Sequence, residues 1–124
     1  MNQLALIYDL EERTALFGEK IIKFCKTLQF DNISRPIINQ IIRSGTSIGA
    51  NYMEANGACS GKDFQNKIFI CKKESQETKH WLRMLNVCAP DKVDELRVLW
   101  REAQELTLIF QKITSSLKNH KLEN

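Results

Sequence analysis

The run from Leu96 to Leu117, LRVLWREAQELTLIFQKITSSL, decides the fold. Leu96, Leu99, Ala103, Leu106, Phe110, Ile113 and Leu117 recur at alternating spacings of three and four, with Arg97, Arg101, Glu102 and Glu105 between them. That period puts the apolar side chains on one stripe of an α-helix and the charges elsewhere. A stripe this long needs matching stripes to cover it, and the rest of the chain supplies them.

Working back from this run, Pro90 and Asp91 stop one helix and start the next. The preceding segment opens at Ser60, with Asp63 three residues on in a box-like start, and continues through Phe64, Ile68, Cys71, Ser75, Thr78, Leu82 and Leu85. It predicts a rod of about 40 Å over residues 61–88. Leu10, Thr14, Phe17, Ile21, Phe24 and Leu28 repeat the pattern near the N-terminus, with Asp9 and Glu12 as a capping box. Between them, Ser34 as N-cap and Pro36 in the first turn open a segment whose apolar face is Ile38, Ile41, Ile42, Ile48, Tyr52 and Ala55. Gly45 and Gly49 sit in its middle, each costing about 1 kcal/mol relative to alanine. At a spacing of four they predict close approach of another helix. Short connections force antiparallel neighbours. The reading is one all-α domain over residues 1–124, an antiparallel up-and-down four-helix bundle with helices near 9–29, 34–57, 61–88 and 91–119.

Composition agrees. At 124 residues the chain is too short for two ordinary domains. With 43% hydrophobic and 27% charged residues it is neither disordered nor a membrane protein. Its longest apolar run, Leu4 to Tyr8, falls far short of the roughly 20 residues of a membrane span, and the N-terminus has no signal-peptide pattern. A cytoplasmic location without membrane contact is expected. Five glycines and two prolines leave little turn chemistry for an all-β fold. Cys25, Cys59, Cys71 and Cys88 form no CxxC pair and read as small apolar residues in a reducing compartment.

Two polar patterns stand out. Gln40, Ser44, Ser47, Asn51 and Glu54 follow one another at spacings of 4, 3, 4 and 3 beside the apolar face of the second segment. Such a seam either faces water or is met by partners, because an unpaired buried polar group costs several kcal/mol. It either fixes helix register or lines a ligand site. In the third segment the charges separate. The net charge of +3 arises entirely within residues 61–88, where six basic residues face three acidic ones. Projected at about 100° per residue from Cys71, Lys79, Lys72, Arg83, Lys62, His80 and Lys73 fall on an arc from about 80° to 200°, with Phe69 among them, while Asp63, Glu74 and Glu77 fall opposite. Only Lys67 breaks the rule. The basic arc suits phosphates and Phe69 suits base stacking, and aligned arcs in a ring of copies would add their fields. Ile70, Trp81 and Cys88 share the acidic flank, an apolar strip that either packs within the bundle or marks a subunit contact.

Catalytic and metal chemistry find no constellation. Glu77-Thr78-Lys79-His80 has the Glu-x-x-His spacing of di-metal bundles, but His120 is preceded at that spacing by Leu117, so the set is incomplete. Neither histidine sits in a nucleophile setting, and the Ser44–Asn51 stretch lacks the GxxxxGK[ST] pattern of a phosphate loop. No enzyme activity, cofactor or metal is expected.

The runs Tyr8–Thr14, Gln40–Ala55, Ser60–Phe64 and Lys73–Leu82 carry a Ser-Ile-Gly-Ala-Asn-x-x-Glu-Ala core followed by Glu-Thr-x-x-Trp-Leu. They resemble the bacterial four-helix bundle proteins encoded in 23S rRNA intervening sequences, over most of residues 8–85. The resemblance implies a homopentameric ring without known catalysis. Relatives include the accessory variability protein of diversity-generating retroelements, a basic pentamer that binds nucleic acid and works with a reverse transcriptase, which makes a protein partner of that kind an expectation here. The leading expectation is a non-enzymatic homo-oligomer associated with RNA or DNA through Lys62, Lys72, Lys73, Lys79 and Arg83. The rival is a protein-interaction scaffold built on Ile70, Trp81 and the seam around Asn51 and Glu54. A third reading places a small-molecule or enzymatic site on the seam.

Overall fold

The computed structural model describes the backbone of residues 9–123 and the side chains of residues 9–119. Tyr8 and the side chain of His120 lie outside them. Among the described residues there are four α-helices and no strand: α1 (Leu10–Cys25), α2 (Ser34–Asn56), α3 (Gly61–Cys88) and α4 (Val93–Glu123), with a 3-10 turn at Pro90–Lys92 before α4. The four stripes meet in one core. Phe17 and Ile21 of α1, Ile38, Ile41 and Ile48 of α2, Ile68, Leu82 and Leu85 of α3, and Leu106, Phe110 and Ile113 of α4 are buried in it. Each such side chain contributes about 1.5–3 kcal/mol by leaving water.

The hydroxyls that interrupt the stripes are satisfied inside their own helices. Thr14 Oγ1 donates to the Leu10 carbonyl at 2.6 Å, Ser75 Oγ to Cys71 at 2.8 Å and Thr78 Oγ1 to Glu74 at 2.7 Å. A polar residue can therefore occupy a core position without leaving an orphaned group. The glycines act as their spacing predicts. A Cβ on Gly45 would lie 3.0 Å from Ile21 Cγ1, and one on Gly49 would lie 3.4 Å from the backbone of Thr14. On α1, Gly18 faces Thr46 in turn. Close packing of α1 on α2 thus offsets the low helix propensity of this stretch. Contact positions fall along α2 as they rise along α1, from Thr14 beside Gly49 to Ile21 beside Gly45. On α2 and α3, Glu54 meets Lys67 while Ser44 meets Thr78. Arg13 joins α1 to α4 through a two-pronged pair with Glu102 at 2.7 and 2.8 Å.

Several boundaries differ from the sequence reading. The first helix ends at Cys25, not near residue 29, because Thr27 and Leu28 turn their amides onto Phe24 and Cys25 and the Thr27 hydroxyl also binds the Phe24 carbonyl. Asp9 makes no side-chain cap: its φ of 44° is left-handed, and its carboxylate bonds none of the free amides. Asp31, rather than Ser34, caps α2. Its Oδ1 accepts from the amides of Ile33 and Ser34 at 2.9 and 2.8 Å, while Ser34 Oγ accepts from the Asp31 amide. Those bonds hold the Asp31 carboxyl below its usual pKa. Ser60 caps α3, accepting from the Asp63 amide at 3.1 Å. The fourth helix starts at Val93, after residues 90–92 spend a turn in the 3-10 conformation, and runs past residue 119 to Glu123.

Candidate nucleic-acid interface

The flanks of α3 face different neighbours. The acidic flank lies against α2, where Arg43 reaches across with Nη1 3.1 Å from Glu74 Oε2 and Nη2 2.6 Å from Glu77 Oε1, while its Nε donates to Gln40 Oε1 at 2.9 Å. Hydrogen bonding to Glu77 raises the already high pKa of the guanidinium. Burial pushes the Glu77 carboxyl up, but bonds from Arg43 and Trp81 and the fields of Arg43 and Lys73 outweigh it and leave it below the usual range. Lys67, out of place among the acids of α3, pairs with Glu54 of α2 at 2.9 Å.

These contacts also account for the seam. Gln40 accepts from Arg43, and the hydroxyls of Ser44 and Thr78 bond to each other at 2.9 Å. The Ser47 carbonyl accepts from Asn51 Nδ2 at 2.8 Å, and Glu54 holds Lys67. Among the described residues no buried side-chain nitrogen or oxygen lacks a partner. Ser44 and Glu54 of the seam thus reach α3, while Gln40 and Asn51 bond within α2. Trp81 is half-buried, packs against the core of its own chain and donates to Glu77 Oε1 at 3.3 Å. Ile70 is half-buried, and Cys88 is exposed.

The basic flank is uncompensated. Lys62, Lys73 and Arg83 are exposed and Lys72 and Lys79 half-buried. Among the described residues none of the five forms a salt bridge. From Lys62 to Arg83 the face extends about 32 Å along the helix. Phe69, in the same arc, is exposed. Lys79 differs from the rest: its Nζ binds Gln104 Oε1 of α4 and sits 5.4 Å from the centroid of the Trp100 ring. Both partners are neutral, so the charge persists although the side chain is held. Helix α4 thereby enters the face, and Arg97 and Trp100 join Arg83 around a groove between α3 and α4. Reading the sequence missed Arg43, Arg97, Trp100 and Gln104. The one available signal was Trp100 itself, a large aromatic one position outside the α4 stripe.

Other chemistry is sparse. Burial pushes the thiols of Cys25 and Cys71 up to about 11 and about 12, so both stay protonated at neutral pH. Glu77 of the Glu-x-x-His pair is taken by Arg43 and Trp81, and His80 is exposed, its ring edge-on to Trp81 at 5.0 Å. Among the described residues no three His, Cys, Asp or Glu side chains are placed to hold a metal, and no helix is long and apolar enough to cross a membrane. Leu16, Ile22 and Met53 are exposed, with Ile22 and Met53 lining an apolar groove between α1 and α2.

Fold and face together define a four-helix bundle with one basic helix flank that has no salt bridge among the described residues. Residues 9–112 match the family of 23S rRNA-intervening sequence proteins, and the chain belongs to that family. It is also similar to a crystal structure from Bacteroides thetaiotaomicron, a protein of unknown function from the S23 ribosomal protein family. The two are 31% identical over 85% of this chain and 97% of that one, with a TM-score of 0.75. No curated protein matches the sequence.

Proposed function

We propose that the protein is a non-enzymatic, cytoplasmic homo-oligomer, an antiparallel up-and-down bundle that binds nucleic acid through the basic flank of α3. The carrying observation is the asymmetry of that helix. Glu74 and Glu77 share one cation, Arg43, while Lys62, Lys72, Lys73, Lys79 and Arg83 have no carboxylate partner among the described residues. Phosphates are the natural complement of such a row, and releasing their counterions supplies the driving force. Assembly, as a pentamer in the resemblance above, is supported by the exposed Leu16, Ile22 and Met53, and would multiply the basic flank around a ring. Four unpaired cysteines suit a reducing compartment.

Lys72→Glu with Arg83→Glu tests the reading. Lys79 is left in place because it also holds Gln104 and Trp100. The double variant should keep its helical content and lose binding to a structured RNA and to a DNA duplex; unchanged affinity would refute the assignment. The same exposed apolar residues on α1 and α2 favour a second reading, a protein-interaction scaffold with no nucleic acid, in which a reverse transcriptase is one kind of partner. Binding of neither RNA nor DNA by a well-formed oligomer would select it.

A further inference from the structure

We propose that the groove beside Trp100 receives an unpaired nucleobase, so that the protein prefers single-stranded segments to duplex; this rests on the reading of the basic flank as a phosphate contact. The open groove offers about 320 Å³ between the C-terminal part of α3 and the start of α4. Its floor is apolar, made by the buried Leu82 and Leu96. Its rim carries Arg83 from α3 and Arg97 from α4, and among the described residues neither has a salt-bridge partner. Among the described residues no carboxylate lines it, and Asn86 adds an amide able both to donate and to accept.

Trp100 forms one wall, and 40% of its surface remains exposed although the residue is among the largest apolar groups of α4. Lys79 lies over its ring, which enriches the wall with positive charge. An apolar slot with an indole wall, an amide and two free guanidinium groups matches a planar heterocycle carrying phosphates. The size suits one base, not a helix: a base held in a duplex is stacked on both faces and cannot enter. Continuity sets the occupant as a strand. Arg83 belongs both to the phosphate face and to the groove, so a backbone tracking α3 is delivered to its mouth.

The test compares a short oligouridylate, a hairpin duplex with the same number of phosphates, and uridine monophosphate, on the full chain and on Trp100→Ala and Trp100→Phe. The proposal expects Trp100→Ala to weaken the oligouridylate about 5- to 150-fold, the loss of one base–aromatic stack, and to weaken the duplex far less, through the loosened Lys79 alone. Trp100→Phe should retain most of the preference, which a merely structural loss would not. Equal weakening of strand and duplex, or no weakening of either, overturns the proposal while the phosphate reading stands. Monophosphate binding as tight as the strand overturns it in favour of a free nucleotide, and displacement of the strand by polyglutamate overturns it in favour of an acidic peptide. Binding of neither nucleic acid removes both readings together.

Discussion

Replacing Arg43 by methionine removes the cation that bridges Glu74 and Glu77 of α3 while keeping an unbranched, helix-compatible side chain. The size of the effect follows from how unequally its partners are buried. Glu74 keeps only 9% of its side-chain surface in water, Glu77 keeps 31% and Arg43 itself 45%. Breaking a fully buried pair costs about 3–5 kcal/mol and an exposed one about 0–1 kcal/mol. One nearly buried contact and one half-exposed contact place Arg43→Met between these, at about 1–3 kcal/mol, which is about 4–12 °C in melting temperature for a domain of this size. The cost depends on pH with a definite sign. Glu77 titrates below its ordinary value of 4.5 in the folded protein, so its share is fully present above that value and is lost as pH falls through the folded pKa. Urea denaturation of both proteins at one concentration, from about pH 7 down to about pH 3, should show the gap narrowing below about pH 4.5. A gap under about 0.5 kcal/mol at neutral pH, or one that widens with acid, would refute the electrostatic account of this helix pair.

The glycines make a graded prediction. Gly45→Ala drives a methyl against Ile21, and overpacking of about 1–3 kcal/mol exceeds the roughly 1 kcal/mol of regained helix propensity, so denaturation should show a net loss. Gly18→Ala meets nothing closer than 3.6 Å and should stabilise by about 0.5–1 kcal/mol; the reverse order would contradict the close-packing explanation. Leu16→Glu with Ile22→Glu should lower the assembly mass in light scattering without altering helix content, and an unchanged mass would remove the α1–α2 surface from the subunit contact.

What could be read without the structure was whatever one helix reveals by itself. The α4 stripe, the Gly45–Gly49 pair and the separation of charge around α3 each depend only on the period of a single helix. What one helix does to the next could not be read. Arg43 carries no signal of its own, because nothing in the sequence says that α2 presents it to Glu74 and Glu77. Residues 89–124 carry equal numbers of basic and acidic residues, and that balance concealed Arg97, which forms no salt bridge among the described residues. Trp100 and Gln104 join the basic face only through Lys79 of another helix, which lies against both. At the first turn of α2, Ser34 was the conventional cap and Asp31 the actual one, since two residues of turn shifted the frame. Trp81 was open in the sequence between its own bundle and a subunit contact, and the structure sets it half-buried against the core of its own chain.

The most direct test of the central claim is the salt dependence of binding to a DNA duplex and a structured RNA, with oligomeric mass recorded on the same samples. The account predicts a log–log slope on duplex DNA of about −0.9 for each phosphate neutralised, made shallower by about two when Lys72→Gln and Arg83→Gln are combined. Absence of binding at low salt by an intact oligomer, or a slope indifferent to these two residues, would contradict it.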